Sequence, residues 1–589
     1  MTDANEPMAT TDALEAPATG ADGAAGSGGV AGSDGVAGSD GAAGSGAGPP
    51  GAGAAAAGSS GVGPSGVGPS GTAAATADGP PRRRRGRSSG RARPAVQLPH
   101  QEPWRQPRHA YPPIAAVSDD QLEAIHGASL TILEEIGIDF LHAGARALLA
   151  DAGAEVDGDR VRFAPELIEQ LIGTAPETFT LHARDPAHHL RIGGDAIAYS
   201  SVASAPNAAS LAGGRRTGNF TDFKDLTKLG QMLDVVHFWG GYPVEPVDVH
   251  PSVRHLHTTF EQLTLSNKAV HVYSLGAQRN LDGLEMARIA RGIDDATLDV
   301  EPSICSVINA SSPLRFDEPM LEGIIRLSAR NQVIILTPFT LAGAMAPITL
   351  AGALAQQNAE ALAGIAMTQV VRAGAPVIYG GFTSNVDMQS GAPAFGTPEF
   401  MRTAMVGGQL ARRYGVPYRS SNVSASNAVD AQAGYESVFS LWGAIMGGAN
   451  VVFHGAGWME GGLHASFEKM VIDADLLGMI SAYLQPIEVT EDTLALDAIR
   501  EVGPGGHFFG AAHTQSRFRD AFFRPMVSDW RNYERWEEAG SPDAVTRASG
   551  IATQLIDAHE PPPIDPDIRQ ELEEFVARRV AEGGAPTDY

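Results

Sequence analysis

Val377-Ile378-Tyr379-Gly380-Gly381-Phe382-Thr383-Ser384-Asn385-Val386 starts as an apolar run of strand length and breaks at its glycine pair. A loop rich in Gly, Pro and small polar residues follows, as far as a helix start at Thr397-Pro398-Glu399. This is a β-loop-α unit with a long loop. Val416-Pro417-Tyr418-Arg419-Ser420-Ser421-Asn422-Val423-Ser424 repeats the pattern at once and leads into a second helix at Asp430-Ala431-Gln432-Ala433-Gly434-Tyr435-Glu436. Polar side chains gather where each strand ends, which is where enzymes built on parallel β/α units carry their chemistry.

Outward from this stretch the same unit recurs. Strand-like runs lie at residues 196–201, 235–240, 270–275, 303–308, 333–337, 377–379, 416–420 and 451–454, mostly separated by amphipathic or Ala-rich helical segments. The runs are continuously apolar rather than alternating, as parallel strands covered on both faces should be. About eight such units predict an α/β fold, a TIM (β/α)8 barrel. A doubly wound open sheet is the alternative, but no strand is followed by a Gly-x-Gly-x-x-Gly turn opening a helix. The expected boundaries are a tail at 1–103, an α+β lead-in at 104–194, the barrel at 195–560, and a C-terminal helical extension and tail at 561–589.

The tail is a different material from the rest. Gly, Ala, Ser and Pro dominate it, with near-repeats at 29–34 and 35–40 and again at 61–65 and 66–70, and few large apolar residues are available to offset backbone entropy. It is expected to be disordered. Its charged block, Arg82-Arg83-Arg84-Arg85-Gly86-Arg87 with Arg91 and Arg93, reads as a solvated run in a linker, since no apolar segment follows to make an export signal. A net charge of −26 argues against a general nucleic-acid binder. The lone Cys305 precludes an intrachain disulfide and a cysteine-based zinc site, so no metal is expected and a reducing cytoplasm fits best.

Order is expected from about Trp104. Ser118 supplies an N-cap ahead of Leu122, Ile125, Leu130, Leu133 and Ile136, which keep helical spacing up to Gly137. His142, His188 and His189 lack ligand spacing and read as surface or structural. Residues 333–355 carry no charge, but Pro338, Gly343 and Pro347 interrupt them, so strand, loop and a helix from about Ala346 are expected instead of a membrane span.

None of Lys224, Lys228, Lys268 and Lys469 falls at a strand C-terminus, which disfavours Schiff-base chemistry. The Gly-rich run 454–462 brings Glu460 but no Lys or Arg, a poor phosphate site. Aromatic residues do recur at the strand ends, among them Phe339, Tyr379, Phe382 and Trp458. Aromatic faces with a few carboxylates suit an organic cation.

Four pieces together resemble the trimethylamine methyltransferase family of corrinoid-dependent barrel enzymes. They are residues 347–354 with Asn358-Ala359-Glu360, then Gly391-Ala392-Pro393-Ala394-Phe395-Gly396-Thr397-Pro398-Glu399, then Asp430-Ala431-Gln432-Ala433-Gly434-Tyr435-Glu436, and Gly455-Ala456-Gly457. The resemblance covers roughly residues 118–577. It implies transfer of a methyl group from a methylated amine to the cobalt of a corrinoid protein docked over the barrel mouth. The corrinoid is then carried by that partner and none is bound by the chain itself.

Archaeal members carry pyrrolysine at the position aligned with Val423. Valine offers neither electrophile nor acid, whereas a quaternary ammonium needs no activation because its leaving group is a neutral amine. The resemblance is therefore to the branch that lacks pyrrolysine, whose known members demethylate betaines such as glycine betaine. Trp458, Phe382, Tyr379, Phe339, Asn422, Gln432, Glu436, His454 and Glu460 are the candidate substrate-binding residues, with Arg419 or His454 for a substrate carboxylate. Partners are expected to be the corrinoid protein and a small quaternary amine, without nucleic acid or membrane, and the assembly a homo-oligomer. An unrelated barrel isomerase or lyase would turn over without corrinoid, and a silent quaternary-ammonium binding protein would bind without transfer.

Removing residues 1 to about 100 is expected to leave thermal midpoint and turnover unchanged. Unfolding or lost turnover on deletion up to Gln101 would contradict the reading of this segment as a linker.

Overall fold

A computed structural model describes residues 98–587 of the chain. The expected disorder of the tail and its arginine block therefore lie outside the described residues. Order starts earlier than Trp104: Gln101 donates to the Met232 carbonyl at 2.9 Å and accepts from the Asp234 amide at 3.1 Å.

Seven strands form the main sheet: β1 (Ala198–Ser201), β2 (Val270–His271), β3 (Ile304–Ile308), β4 (Val333–Leu336), β5 (Val377–Gly380), β6 (Tyr418–Ser421) and β7 (Val451–Ala456). Their spatial order is β1-β7-β6-β5-β4-β3-β2, and every pairing is parallel. The remaining expected run, 235–240, contributes bridges instead of a strand. Phe238 pairs in parallel with Ser200 in β1 and with Ala269 just ahead of β2. The run then stops at Gly241, whose φ of 145° turns the chain out of the ladder.

Each strand sends alternate side chains to opposite faces. Ala198, Phe238, Ala269, Cys305, Val333, Ile335, Ile378, Val451 and Phe453 converge in one inner cluster. Leu181, Ala183, Leu190 and Ile192 join it from the hairpin Thr178–Leu181/Leu190–Gly193, which comes from the lead-in. The outer faces meet helices. Leu350–Val371 is buried on nearly every side because it lies between the sheet and the lead-in helices Asp119–Thr131 and Pro165–Ile172. That accounts for its largely apolar sequence, in which Glu360 is the one charged side chain; no helix among the described residues is long and apolar enough to cross a membrane. The helix begins at Leu350, a turn later than expected, because Phe339–Ala342 forms a further strand first.

A second tier stands on the C-terminal ends of the sheet. Past Thr337-Pro338 the chain of β4 continues as Phe339–Ala342, and past Gly381 that of β5 continues as Phe382–Val386. The two extensions pair in parallel with Phe339 opposite Phe382. After β7, Trp458–Met459 and His464–Ser466 join the hairpin Asn207–Ser210/Gly214–Thr217.

Local signals place the helix starts that hold these loops. Ser118 forms a capping box with Gln121, Thr397 accepts from the Phe400 amide, and Asp430 from the amides of Gln432 and Ala433. The helices Pro398–Arg413 and Ala431–Met446 pack closely, and a Cβ added at Gly408 would lie 1.9 Å from the Gly447 carbonyl oxygen. Gly408→Ala is expected to cost about 2–3 kcal/mol, because backbone must move to admit it. Denaturant unfolding of variant and wild type measures the loss.

Candidate active site

Where the two tiers meet, aromatic side chains pack into a cluster. Phe382 is central, with ring centroids 5.1 Å from Phe339, 5.6 Å from Phe395, 5.9 Å from Phe400 and 6.2 Å from Trp458. Trp458 meets Phe395 edge-on at 5.1 Å and stacks on His454 at 5.4 Å. These residues come from three strand ends, one loop and the first turn of the helix Pro398–Arg413. Only the twist of the tiers brings them together.

His454 interrupts β7 with φ 52°, and the pairing of β7 with β1 shifts register between Val452 and Ala456. A bulge of this kind re-aims a side chain. The imidazole Nδ1 is buried without a hydrogen-bond partner among the described residues. Burial, assisted by Arg419 and His271, pushes its pKa far below the ordinary value, so the ring is neutral.

Arg419 lies on the inner face of β6, its guanidinium 4.8 Å from the Phe453 centroid and 5.3 Å from that of Phe382. It is 2% exposed, and Nε and Nη1 have no hydrogen-bond partner among the described residues. Burial pushes its pKa down to about 9, with Tyr418 opposing, which leaves it charged at neutral pH. His271, at the end of β2, accepts the Val307 amide on Nε2 at 3.0 Å. That bond sets the tautomer: the proton sits on Nδ1, which is buried and unpartnered. Burial holds His271 neutral, its pKa pushed down to about 3.

The expected carboxylates are engaged elsewhere. Glu436 accepts from the Ser424 hydroxyl at 2.8 Å, from the Ala425 and Ser426 amides at 2.9 and 3.1 Å, and from Gln432 Nε2 at 2.8 Å. It ties down the loop after β6, and Gly396 packs against it so closely that a Cβ there would meet its own at 2.4 Å. Gln432 is exposed and its amide serves Glu436, so both lie in the frame around the cluster. Glu460 is paired with Arg215 at 2.7 Å and His464 at 2.9 Å. Burial would raise its pKa, but these two partners outweigh burial and hold it low.

Tyr379 needs correcting outright. It points to the outer face, where its hydroxyl donates to Asn358 Oδ1 at 3.0 Å and receives Gln357 Nε2 at 3.1 Å. The parity of β5 decides this, because Ile378 takes the inner face. Asn422 donates to the Gly455 carbonyl at 2.9 Å and leaves its Oδ1 buried and unpartnered. Val423 is fully buried in the apolar core, and its carbonyl accepts from Ser440.

Phe339, Phe382, Trp458 and His454 are thus brought together, with Arg419 among them, while Tyr379, Gln432, Glu436 and Glu460 serve the frame. His271 was not singled out from sequence, and Phe395, one of the recurring aromatic residues, was not among the candidate substrate-binding residues. Phe395 sits inside the motif 391–399, and His271 is the first polar residue of its strand run, which was the available signal. No group of three His, Cys, Asp or Glu able to hold a metal occurs among the described residues. Aromatic faces of this kind suit an organic cation, and the carboxylates expected beside them, Glu436 and Glu460, are both engaged.

The profile of the trimethylamine methyltransferase (MTTB) family matches residues 83–584. A glycine betaine methyltransferase of Desulfitobacterium hafniense (strain Y51) is 37% identical over 469 residues, 80% of this chain and 98% of that protein. A trimethylamine methyltransferase of Desulfitobacterium hafniense (strain DSM 10664 / DCB-2) is 30% identical over 484 residues, 80% of this chain and 95% of that protein. Among solved structures, the monomethylamine methyltransferase of Methanosarcina barkeri aligns with a TM-score of 0.43 at 11% identity, covering 79% of this chain and 89% of that one.

Replacing Glu436 with alanine removes the acceptor of three loop donors at once, of which the Ser426 amide keeps a second partner, the Ser424 hydroxyl at 3.3 Å. A loss of about 2–4 kcal/mol is expected. Glu436→Ala should therefore melt well below wild type, and a melt within 1 °C of it would show that the loop does not depend on this carboxylate.

Proposed function

Because the chain belongs to the trimethylamine methyltransferase family, we propose that it moves a methyl group from a quaternary amine, glycine betaine or a close relative, to a corrinoid carried by a separate protein. The aromatic cluster around Phe382 carries this reading. Its ring faces suit a cation that cannot donate a hydrogen bond. Its lack of a free carboxylate suits a nitrogen with no proton to lose, and Val423 in the core leaves no electrophile at the position where the resemblance puts pyrrolysine.

A corrinoid carried by the partner would supply the nucleophile as Co(I), which leaves positioning to this chain. Phe339, Phe382, Phe395 and Trp458 hold the methylated nitrogen and exclude water from it, which fixes the methyl group for in-line attack. Positive charge leaves nitrogen as the methyl departs. The faces must therefore grip the cation only moderately, since tight binding of the ground state alone gains no rate.

The mouth has features that fit a docked corrinoid protein. Ile348 and Met388 are exposed on neighbouring loops beyond β4 and β5, and Leu211 and Leu463 are exposed on loops beyond β1 and β7. Apolar side chains grouped at an opening suit a partner surface. Exposed Ile487, Phe509, Phe522 and Trp530 lie away from these loops in sequence and support a homo-oligomer. The two bridges of Phe238 support a closed (β/α)8 barrel. The free buried thiol of Cys305 accords with a reducing cytoplasm.

With a reduced corrinoid protein and a panel of methylated amines, methyl-cobalt absorbance should grow with glycine betaine or a relative and not with trimethylamine. Efficient trimethylamine turnover would refute the substrate assignment. Met388→Asp should slow transfer to the corrinoid protein about tenfold or more while leaving transfer to free cob(I)alamin near wild type.

A further inference from the structure

We propose that Arg419, with the Nδ1–H of His271 and the imidazole of His454, forms a seat for the carboxylate of the substrate, so that the site selects zwitterions over simple quaternary cations. The inference rests on the preceding functional reading and adds the group that recognises the other end of the molecule.

A site that takes a quaternary ammonium should not contain a second cation, yet the Arg419 guanidinium lies 5.3 Å from the centroid of Phe382, the central ring. No carboxylate among the described residues pairs with it, and its Nε and Nη1 lack hydrogen-bond partners there. Contact with two ring faces offsets only part of the desolvation of a charge at 2% exposure. Arginine does not escape by losing its proton at neutral pH. Two guanidinium nitrogens are thus kept dry and unpaired, and a carboxylate is the group that satisfies such donors.

Two neighbours make the seat more than one residue. His271 presents a buried Nδ1–H, its tautomer set by the Val307 amide. His454 is close enough to both Arg419 and His271 for each to depress its pKa, and its own Nδ1 is buried and free of partners. Arg419 and His454 both lie against the rings of Phe382 and Phe453, His271 stands on β2 of the same sheet, and among the described residues no acidic side chain pairs with any of the three. A substrate with carboxylate and ammonium a few bonds apart satisfies both halves of the site. One without the carboxylate brings its charge against an unscreened guanidinium.

Calorimetric titration of the purified chain without corrinoid tests this with four probes: glycine betaine, choline, tetramethylammonium and acetate. Wild type should bind glycine betaine about 100-fold more tightly than choline or tetramethylammonium. Arg419→Met should lose about that factor for glycine betaine and hold or improve the affinity for tetramethylammonium, while Arg419→Lys should keep part of the preference. The Arg419→Met melt should equal or exceed that of wild type, since an unpaired buried charge is gone, and saturating glycine betaine should raise the wild-type melt only. Equal affinity of wild type for glycine betaine and choline, or an undiminished preference in Arg419→Met, would overturn the seat and leave the quaternary-amine reading standing. Binding of acetate with no quaternary amine binding at all would keep the seat and overturn that reading.

Discussion

Both edges of the seven-stranded sheet find their backbone partner in the same residue: Phe238 bridges Ser200 on one side and Ala269 on the other. With every strand parallel, each chain connection must leave from the same end of the sheet and return by a crossover. All the loops after strands therefore gather at one end. The inner face below them is filled by Phe453, Ile378, Ile335 and their neighbours, plugged from beneath by the hairpin carrying Leu181 and Leu190. Chemistry is left with the upper end only.

The second tier sets the aromatic cluster on that end. Because the chains of β4 and β5 run on into paired extensions, Phe339 and Phe382 are held by backbone ladders and not by free loops. The loop after β6 has no such ladder, and Glu436 replaces it by accepting from Ser424, Ala425 and Ser426. The family motifs acquire a physical meaning here: Gly396 of one touches Glu436 of another, Glu360 of a third accepts from the Leu314 amide and the Ser312 hydroxyl, and Gly455 lies where a Cβ would meet the Ser200 carbonyl at 2.8 Å. They are packing constraints that hold the strand ends in position.

Charge is distributed to match. The acidic groups near the mouth are consumed by the frame, Glu436 by its loop and Glu460 by Arg215 and His464. The inner face keeps Arg419 and two neutral histidines without an anion. A low-dielectric interior magnifies that imbalance, because little solvent screens it.

The sequence by itself determined the recurrence of strand and helix, the helix starts at Ser118, Thr397 and Asp430, and the four motifs, because these depend on short-range periodicity and capping. It also determined that Val423 brings no reactive group. Only the tertiary structure decided which way each polar side chain turned. Tyr379 and Phe382 are three residues apart with a glycine pair between them, yet one hydrogen-bonds to a helix outside the sheet and the other centres the aromatic cluster. Glu436 and Arg419 look equally available in the sequence, yet one is saturated by its own loop and the other is left without a partner. Strand parity, the bulge at His454 and the meeting of loops far apart in the chain settle these questions, and none of them leaves a local mark on the residues concerned.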